Sequence, residues 1–152
     1  MFKQAAAIVA ALFGAGAANA QGPCAGPPSA TRLYVTIENI RASQGLIALT
    51  LYADDSRRFL ARRGSLYVGR VPARAPVTRA CIHLPRPGTY ALAIYHDADA
   101  NRRFNRTALG LPAEGYGFTN NPGTLFGLPS FRSVRLHIAR TGLSTRVQMK
   151  YP

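Results

Sequence analysis

Three oxygen-bearing side chains near the middle of the chain have the spacing of a metal site. Asp97, Asp99 and Asn101 occupy alternate positions, as in calcium loops that turn successive side chains toward one cation. They are therefore the candidate calcium ligands. A polar turn held by its own Asp and Asn hydrogen bonds explains the same spacing, and we favour it because carboxylates are few and arginines lie close by.

The same stretch also allows a catalytic interpretation. His96 beside Asp97 has the composition of a base with its partner, and either aspartate with Glu114 forms the carboxylate pair used in glycoside hydrolysis. No serine or cysteine nucleophile signature accompanies them. We therefore predict no catalytic residue and keep a hydrolase acting on a surface polysaccharide as an alternative. His96 is expected to end a strand and to hydrogen-bond a turn.

An aromatic and glycine-rich stretch follows Glu114. Glycines on both sides of Tyr116 allow unusual backbone angles, so the stretch is expected to fold over an open end of the domain with its rings packed down. Asn120 and Asn121 would then cap turns. The alternative is an exposed saccharide- or peptide-binding surface. The candidate binding residues are His96, Asp97, Asp99, Asn101, Glu114, Tyr116, Asn120 and Asn121.

These residues lie in the segment 94–131, which has no periodic pattern of apolar residues. The strands on either side of this segment must therefore position it. Alternating apolar residues predict strands at residues 33–37, 47–51, 66–71, 77–84, 90–94, 134–138 and 145–151. The first two are expected to pair as an antiparallel hairpin. A short helix is predicted at 57–64, after an acidic cap. About seven strands, one short helix and a long ordered loop predict an all-β, antiparallel two-sheet sandwich.

The N-terminal residues predict export. Residues 1–20 combine one early charge at Lys3, an apolar run and a small-residue ending, which is the layout of a secretory signal peptide cleaved near Ala20. A Pro/Gly-rich leader at 21–30 and a single β-sandwich domain at 31–152 would follow. We expect a periplasmic or secreted protein without a transmembrane segment.

Cys24 and Cys81 are the two cysteines of the chain, and in an oxidising compartment they predict one disulfide. Closing that loop would stabilise the fold by roughly 4 kcal/mol on a chain-entropy argument. Strand parity places Cys81 on the outer face of its sheet, so the leader is expected to cross that face, pinned only at Cys24. Metal-binding or catalytic thiols are disfavoured because CxxC spacing is lacking.

The chain is strongly basic, with a formal net charge of +13. Its basic residues are nearly all arginine, whose planar guanidinium binds carboxylates and phosphates. An anionic component of the cell envelope is therefore a possible partner, and a saccharide is another. Nucleic acid is disfavoured, because the arginines are spread along the chain and no nucleic-acid-binding motif is present.

The segment 88–131 resembles the signature of an exported, uncharacterised bacterial family, domain of unknown function 2141. The matching positions are 88–90, 96–97, 101, 109–110, 112, 114–118, 120–121, 127 and 129–131. The resemblance extends more loosely to the preceding strands and helix. It implies a prealbumin-like or immunoglobulin-like sandwich in the envelope or outside the cell, and no established activity.

The chain departs from the family pattern in its acidic loop. Ala100 and Arg102 stand where the family has glycines, and Asn105 stands where it has a closing aspartate. Any calcium role implied by the resemblance is weakened accordingly. The interpretation we favour is a non-catalytic module of the cell envelope, structural or binding, with no cofactor. A calcium-stabilised form of this module is the first alternative.

Overall fold

The computed structural model describes residues 22–123 and 128–152, so the predicted signal peptide at 1–20 lies outside the described residues. No helix within the described ranges is long and apolar enough to cross a membrane. The elements are β1 Thr31–Glu38, β2 Leu46–Ala53, β3 Tyr67–Pro72, β4 Val77–Leu84, β5 Gly88–Asp97, β6 Tyr116–Phe118, α1 Phe131–Val134, β7 Leu136–Ile138 and β8 Leu143–Gln148.

The strands form two sheets, which confirms the predicted all-β sandwich. The three-stranded sheet has the order β4-β1-β8, and the five-stranded sheet has the order β3-β2-β5-β6, with β7 also paired to β5. Pairing is antiparallel except between β1 and β8, which are parallel. A bridge between Tyr116 and Lys150 joins the edge strand β6 to the chain just beyond β8.

Alternating apolar residues of both sheets meet in one core. The side chains predicted to point inward are almost completely buried, and each contributes about 1.5–3 kcal/mol through its removal from water. The largest of them are Leu33, Val35, Ile37, Ile47, Leu49, Leu51, Ile82, Leu84, Leu92 and Ile94. Strand parity was therefore a reliable guide to the inner face.

The predicted hairpin between the first two strands is wrong. β1 pairs with β4, from Thr31 opposite Leu84 to Glu38 opposite Val77, whereas β2 pairs with β3 and β5 in the other sheet. The connection between β1 and β2 crosses from one sheet to the other. Alternation reports which face of a strand is buried, and it carries no information about the neighbouring strand.

The predicted helix at 57–64 is also wrong, because this segment forms successive turns. Leu60 and Arg63 have positive φ angles of 56° and 59°, which interrupt an α-helix. The short helix is α1, where the Ser130 side chain accepts a hydrogen bond from the amide of Ser133. Val134 ends this helix and does not begin a strand.

The leader runs along the edge of β4, where Ala25 forms a parallel bridge with Ile82, and it is joined to Cys81 by the disulfide from Cys24. The expectation that it crosses the outer face of the sheet is therefore wrong. The leader is held by more than that bond. The Ala25 amide donates to the Cys81 carbonyl at 2.8 Å, and the His83 amide donates to the Ala25 carbonyl at 2.9 Å. The expectation of a single attachment point is therefore wrong, because the exposed edge of β4 offers backbone groups that the leader pairs with.

Candidate functional site

The acidic loop begins where β5 ends, at Asp97, on the outer face of the five-stranded sheet. Ala100 and Arg102 adopt positive φ angles of 55° and 64°, which glycine adopts most readily. The loop thus has backbone angles typical of glycine at two positions that are occupied by other residues. Such angles are strained for residues with a Cβ, so the surrounding contacts must enforce them.

Three carboxylates converge in this loop, and we call Asp97, Asp99 and Glu114 the acidic cluster. One oxygen of each lies within 4.8 Å of the others, with Asp97 and Glu114 buried and Asp99 exposed. The sequence placed Asn101 in the candidate metal set. Its side-chain oxygen instead accepts the Arg103 amide at 2.8 Å, while Glu114 completes the cluster.

Every carboxylate oxygen of the acidic cluster accepts a hydrogen bond from its own loop. Asp97 accepts the amides of Asn101 and Arg102, at 3.0 and 2.8 Å. Asn105 lies between the other two carboxylates: its side-chain Nδ2 donates to Asp99 Oδ2 at 3.0 Å and to Glu114 Oε1 at 3.3 Å. The Asn105 amide group therefore supplies donors where a fourth carboxylate would repel.

The electrostatics of the acidic cluster differ from those of the other carboxylates. Glu38, Asp54 and Asp55 form ion pairs with arginines, whereas no such pair involves the cluster among the described residues. Burial raises the pKa of Glu114, and repulsion from the two aspartates adds to this, although the Asn105 and Ala98 amides lower it in part. Asp99 shows the opposite net shift.

The pKa of Asp99 lies below its ordinary value. Partial loss of solvation raises it, but the hydrogen bonds from Asn101 and Asn105 outweigh that effect. Both shifts follow from the balance of the same two effects. Hydrogen-bond donors aimed at a carboxylate favour its charged form, and burial disfavours it. The cluster is therefore a small network held by donors from its own loop.

His96 is buried beneath the loop, with 2% of its surface exposed. Its Nε2 lies 2.7 Å from the Gln44 carbonyl and its Nδ1 lies 2.8 Å from the Tyr151 hydroxyl. Both ring nitrogens are thus engaged in joining the β1–β2 connection to the C-terminal segment. This position at the end of β5 is the one the sequence indicated.

Tyr116 begins β6, a strand that the sequence analysis treated as loop. The flanking glycines do not have positive φ angles; they are needed for space. A Cβ on Gly117 would lie 2.7 Å from Val147 Cγ1, and one on Gly115 would overlap the ring of Tyr151. The expected reason for these glycines is therefore wrong, since they allow β6 to approach the segment from β8 onward.

Asn120 and Asn121 form a turn with φ angles of 65° and 47° and bind backbone groups of other segments. Asn120 Nδ2 donates to the Arg135 carbonyl at 2.7 Å, and Asn121 Oδ1 accepts the Gln148 amide at 2.7 Å. Their side chains hold the chain after β6 against β7 and β8. They are positioned as structural residues of that turn.

A second apolar cluster lies on the outer face of the five-stranded sheet, where the rings of the long segment pack. The long segment therefore covers this face, and the expectation that it closes an open end of the core is wrong. Ring contacts of 5.3–6.4 Å connect the aromatic side chains in a continuous series. Its members are Tyr95, Phe104, Tyr116, Phe118, Phe59, Tyr52 and Phe131.

Beside this cluster is an open depression of about 530 Å³, which we call the outer groove. Its floor contains Thr50 and Ala93, which lie opposite each other on β2 and β5 and are half-buried. Aromatic rings and leucines form its walls. The remaining lining residues are Tyr52, Leu60, Ile94, Tyr95, Phe104, Arg106, Gly110, Leu111, Pro112, Tyr116, Phe118 and Leu128.

Sequence reasoning found Tyr116 but missed the rest of the outer groove. A signal was present: the outward positions of β2 and β5 include Ala48, Thr50, Ala91 and Ala93, where a solvated sheet face would carry charged residues. Small residues between tyrosines indicate a face that is covered or that receives a ligand. The burial of Ala48 and Ala91 shows that part of this face is covered.

The comparisons with known proteins agree with the resemblance noted from the sequence. The family model described as "Uncharacterized protein conserved in bacteria (DUF2141)" matches residues 35–146, a range that includes the acidic cluster and all the lining residues of the outer groove. No curated protein and no solved structure matches the chain. Because the family model covers most of its length, this chain belongs to that family of uncharacterised bacterial proteins.

Proposed function

We propose that this protein is an exported, non-catalytic binding module of the cell envelope whose ligand site is the outer groove. The supporting observation is the groove itself, an apolar depression of about 530 Å³ with a half-buried floor at Thr50 and Ala93. Small-molecule sites have volumes of about 300–1,000 Å³ and mainly apolar linings. The groove fits this description.

The exposed leucines at its rim add support. Leu111 and Leu128 are 60% and 67% exposed and both line the outer groove. Large apolar side chains held in water beside a depression mark surfaces that bind something. A ligand in the outer groove would remove part of their surface from water.

The non-catalytic part of the proposal rests on the burial of His96 and Asp97, two of the candidate catalytic residues. Asp97 is 0% exposed and His96 is 2% exposed, and the hydrogen-bonding atoms of both are engaged within the protein. A substrate would have no access to them without opening the loop. Export is supported by the Cys24–Cys81 disulfide, since such bonds persist in oxidising compartments.

The proposal is tested by filling the floor of the outer groove. Wild-type protein should bind the uncharged apolar dye Nile red with one-to-one stoichiometry, and Ala93→Leu should lose that binding because the larger side chain occupies the floor. Ala139→Leu is the matched control, at an exposed position outside the groove. Equal dye fluorescence in all three proteins, or none in any, would refute the proposal.

A calcium-stabilised form of the same module is the second candidate. It is favoured by the convergence of Asp97, Asp99 and Glu114 within 4.8 Å, since a cation would relieve their mutual repulsion. Calcium binding to the folded state should then raise the melting midpoint relative to chelator. An unchanged midpoint in saturating calcium would remove this candidate and leave the first one intact.

A further inference from the structure

We infer that the outer groove binds the acyl chain of a single-chain anionic lipid, with the negatively charged head at Arg106. The inference rests on the proposed function, because it names the ligand of the same groove. It follows from the chemistry of the walls, the width of the floor and the distribution of charge. The apolar walls separate a lipid from a saccharide, and the charge separates an anionic head from a cationic one.

The walls are apolar where a saccharide site would be polar. Apart from tyrosine hydroxyls, Thr50 and Arg106 supply the polar side chains among the described residues that line the outer groove. A sugar carries many hydroxyl groups, and each one that is buried without a hydrogen-bond partner costs free energy. A hydrocarbon chain has no such groups, so the lining matches it better.

The floor is wide enough for one chain. Thr50 and Ala93 lie on adjacent strands, which are about 4.8 Å apart. Phe104 and Leu111 belong to the wall formed by the long segment, and Tyr52 and Leu60 belong to the wall formed by β2 and the turns after it. A channel with a floor two strands wide accepts a single acyl chain lengthwise.

Charge selects an anionic head. Arg106 is the one ionised residue among the described lining residues, none of which carries a carboxylate. Its guanidinium lies 5.0 Å from the centre of the Phe104 ring and donates to the Gly110 carbonyl at 3.0 Å. Arginine has five N–H donors, so donors remain for a carboxylate or phosphate once Gly110 is bound.

Tyr95, which also lines the outer groove, lies near charges of both signs. Burial is the largest cause of the raised pKa of its hydroxyl, Arg70 lowers that pKa, and Asp97 and Glu114 raise it by less. Arg106 is therefore the position in the lining where an anionic head is attracted. The net charge of +13 also attracts anions to the molecule as a whole.

The test measures how dodecanoate and dodecanol displace Nile red from the wild-type protein and from Arg106→Gln. An exposed ion pair contributes up to about 1 kcal/mol, so the affinity ratio of dodecanoate to dodecanol should fall about fivefold in the variant. A change in the affinity for Nile red itself cancels in this ratio, because both ligands are measured against the same dye in each protein. Arg140→Gln, at an exposed position outside the groove, should keep the wild-type ratio.

The outcomes separate the two claims. If Nile red binds in the outer groove but the ratio is the same in Arg106→Gln, the anionic-lipid inference fails and the proposed function survives. If no apolar ligand binds, both fail. Binding to phosphatidylglycerol vesicles without any displacement by monomeric dodecanoate would also overturn the inference, because the surface would then recognise a bilayer and not one chain.

Discussion

The acidic cluster and the outer groove are neighbours on one face of the five-stranded sheet, and they use that face in opposite ways. Asp97 and Tyr95 have the same parity on β5, as do Glu114 and Tyr116 at the start of β6. In the cluster, loop donors occupy every carboxylate oxygen. In the groove, apolar walls surround a floor that remains accessible.

This difference separates reactive chemistry from binding capacity. The residues with the most recognisable chemistry are hydrogen-bonded to their own loop, so they stabilise its conformation. The residues with the least distinctive chemistry, Thr50 and Ala93 between aromatic rings, leave apolar surface available to a ligand. Four changes test this contrast, given from the largest expected effect to the smallest.

Asp97→Ala should cause the greatest loss of stability. The change removes the acceptor of the Arg102 amide and one of the two acceptors of the Asn101 amide, whose other acceptor is Asp99 Oδ1. An amide left without an acceptor costs about 1–3 kcal/mol. We expect the free energy of unfolding to fall by about 3 kcal/mol in urea denaturation. A loss below about 0.5 kcal/mol would show that the cluster does not hold the loop.

Asn105→Asp should convert the acidic cluster into one that needs a cation. The change replaces an amide that donates to Asp99 and Glu114 with a fourth carboxylate. We expect a loss of about 2 kcal/mol in chelator, from two lost hydrogen bonds and added repulsion, and recovery of part of it in calcium. Asn120→Asp is the control for added charge, and it should show no recovery in calcium.

Glu114→Gln should change how stability depends on pH. The pKa of Glu114 in the folded protein is raised above its ordinary 4.5. The stability that this residue contributes is therefore fully present below pH 4.5 and is lost as the pH rises through its folded-state pKa. Glu114→Gln has no carboxylate at this position and does not lose stability in this way. The difference between its melting midpoint and that of the wild type should therefore increase as the pH rises from about 4 to about 7. A constant difference across that range would contradict the raised pKa.

Leu109→Ala should have the smallest effect. This side chain is 87% exposed and does not line the outer groove, so we expect less than about 0.5 kcal/mol change in stability. Leu111→Ala, at a lining position, should be equally neutral for stability but should weaken Nile red binding. Similar binding in the two variants would show that the rim does not contribute to the site.

Local sequence patterns located most of the strands and almost none of their pairings. The inward positions of β1, β2, β4 and β5 followed from alternation, because a period of two is a property of the strand itself. The β1–β2 hairpin failed because pairing depends on contacts between distant segments. The helix at 57–64 failed because a cap, basic residues and a glycine stop also fit successive turns with positive φ angles.

The candidate site was predicted in part for the same reason. Spacing indicated that Asp97 and Asp99 would share a turn, and this depends on residues that are close in sequence. The entry of Glu114 into the cluster depends on β6 pairing with β5, and the role of Asn105 depends on where the loop places its amide. Neither could be obtained from spacing alone.

The sequence by itself determined the class of fold, the disulfide partners, the buried face of each major strand and the family signature. These follow from local periodicity, residue type and the presence of two cysteines. Only the tertiary structure decided that the long segment folds across the outer face of the sheet, where it satisfies its carboxylates and leaves an apolar groove beside them. The way a segment packs across a sheet is determined by contacts between residues far apart in the chain. No local sequence pattern encodes those contacts.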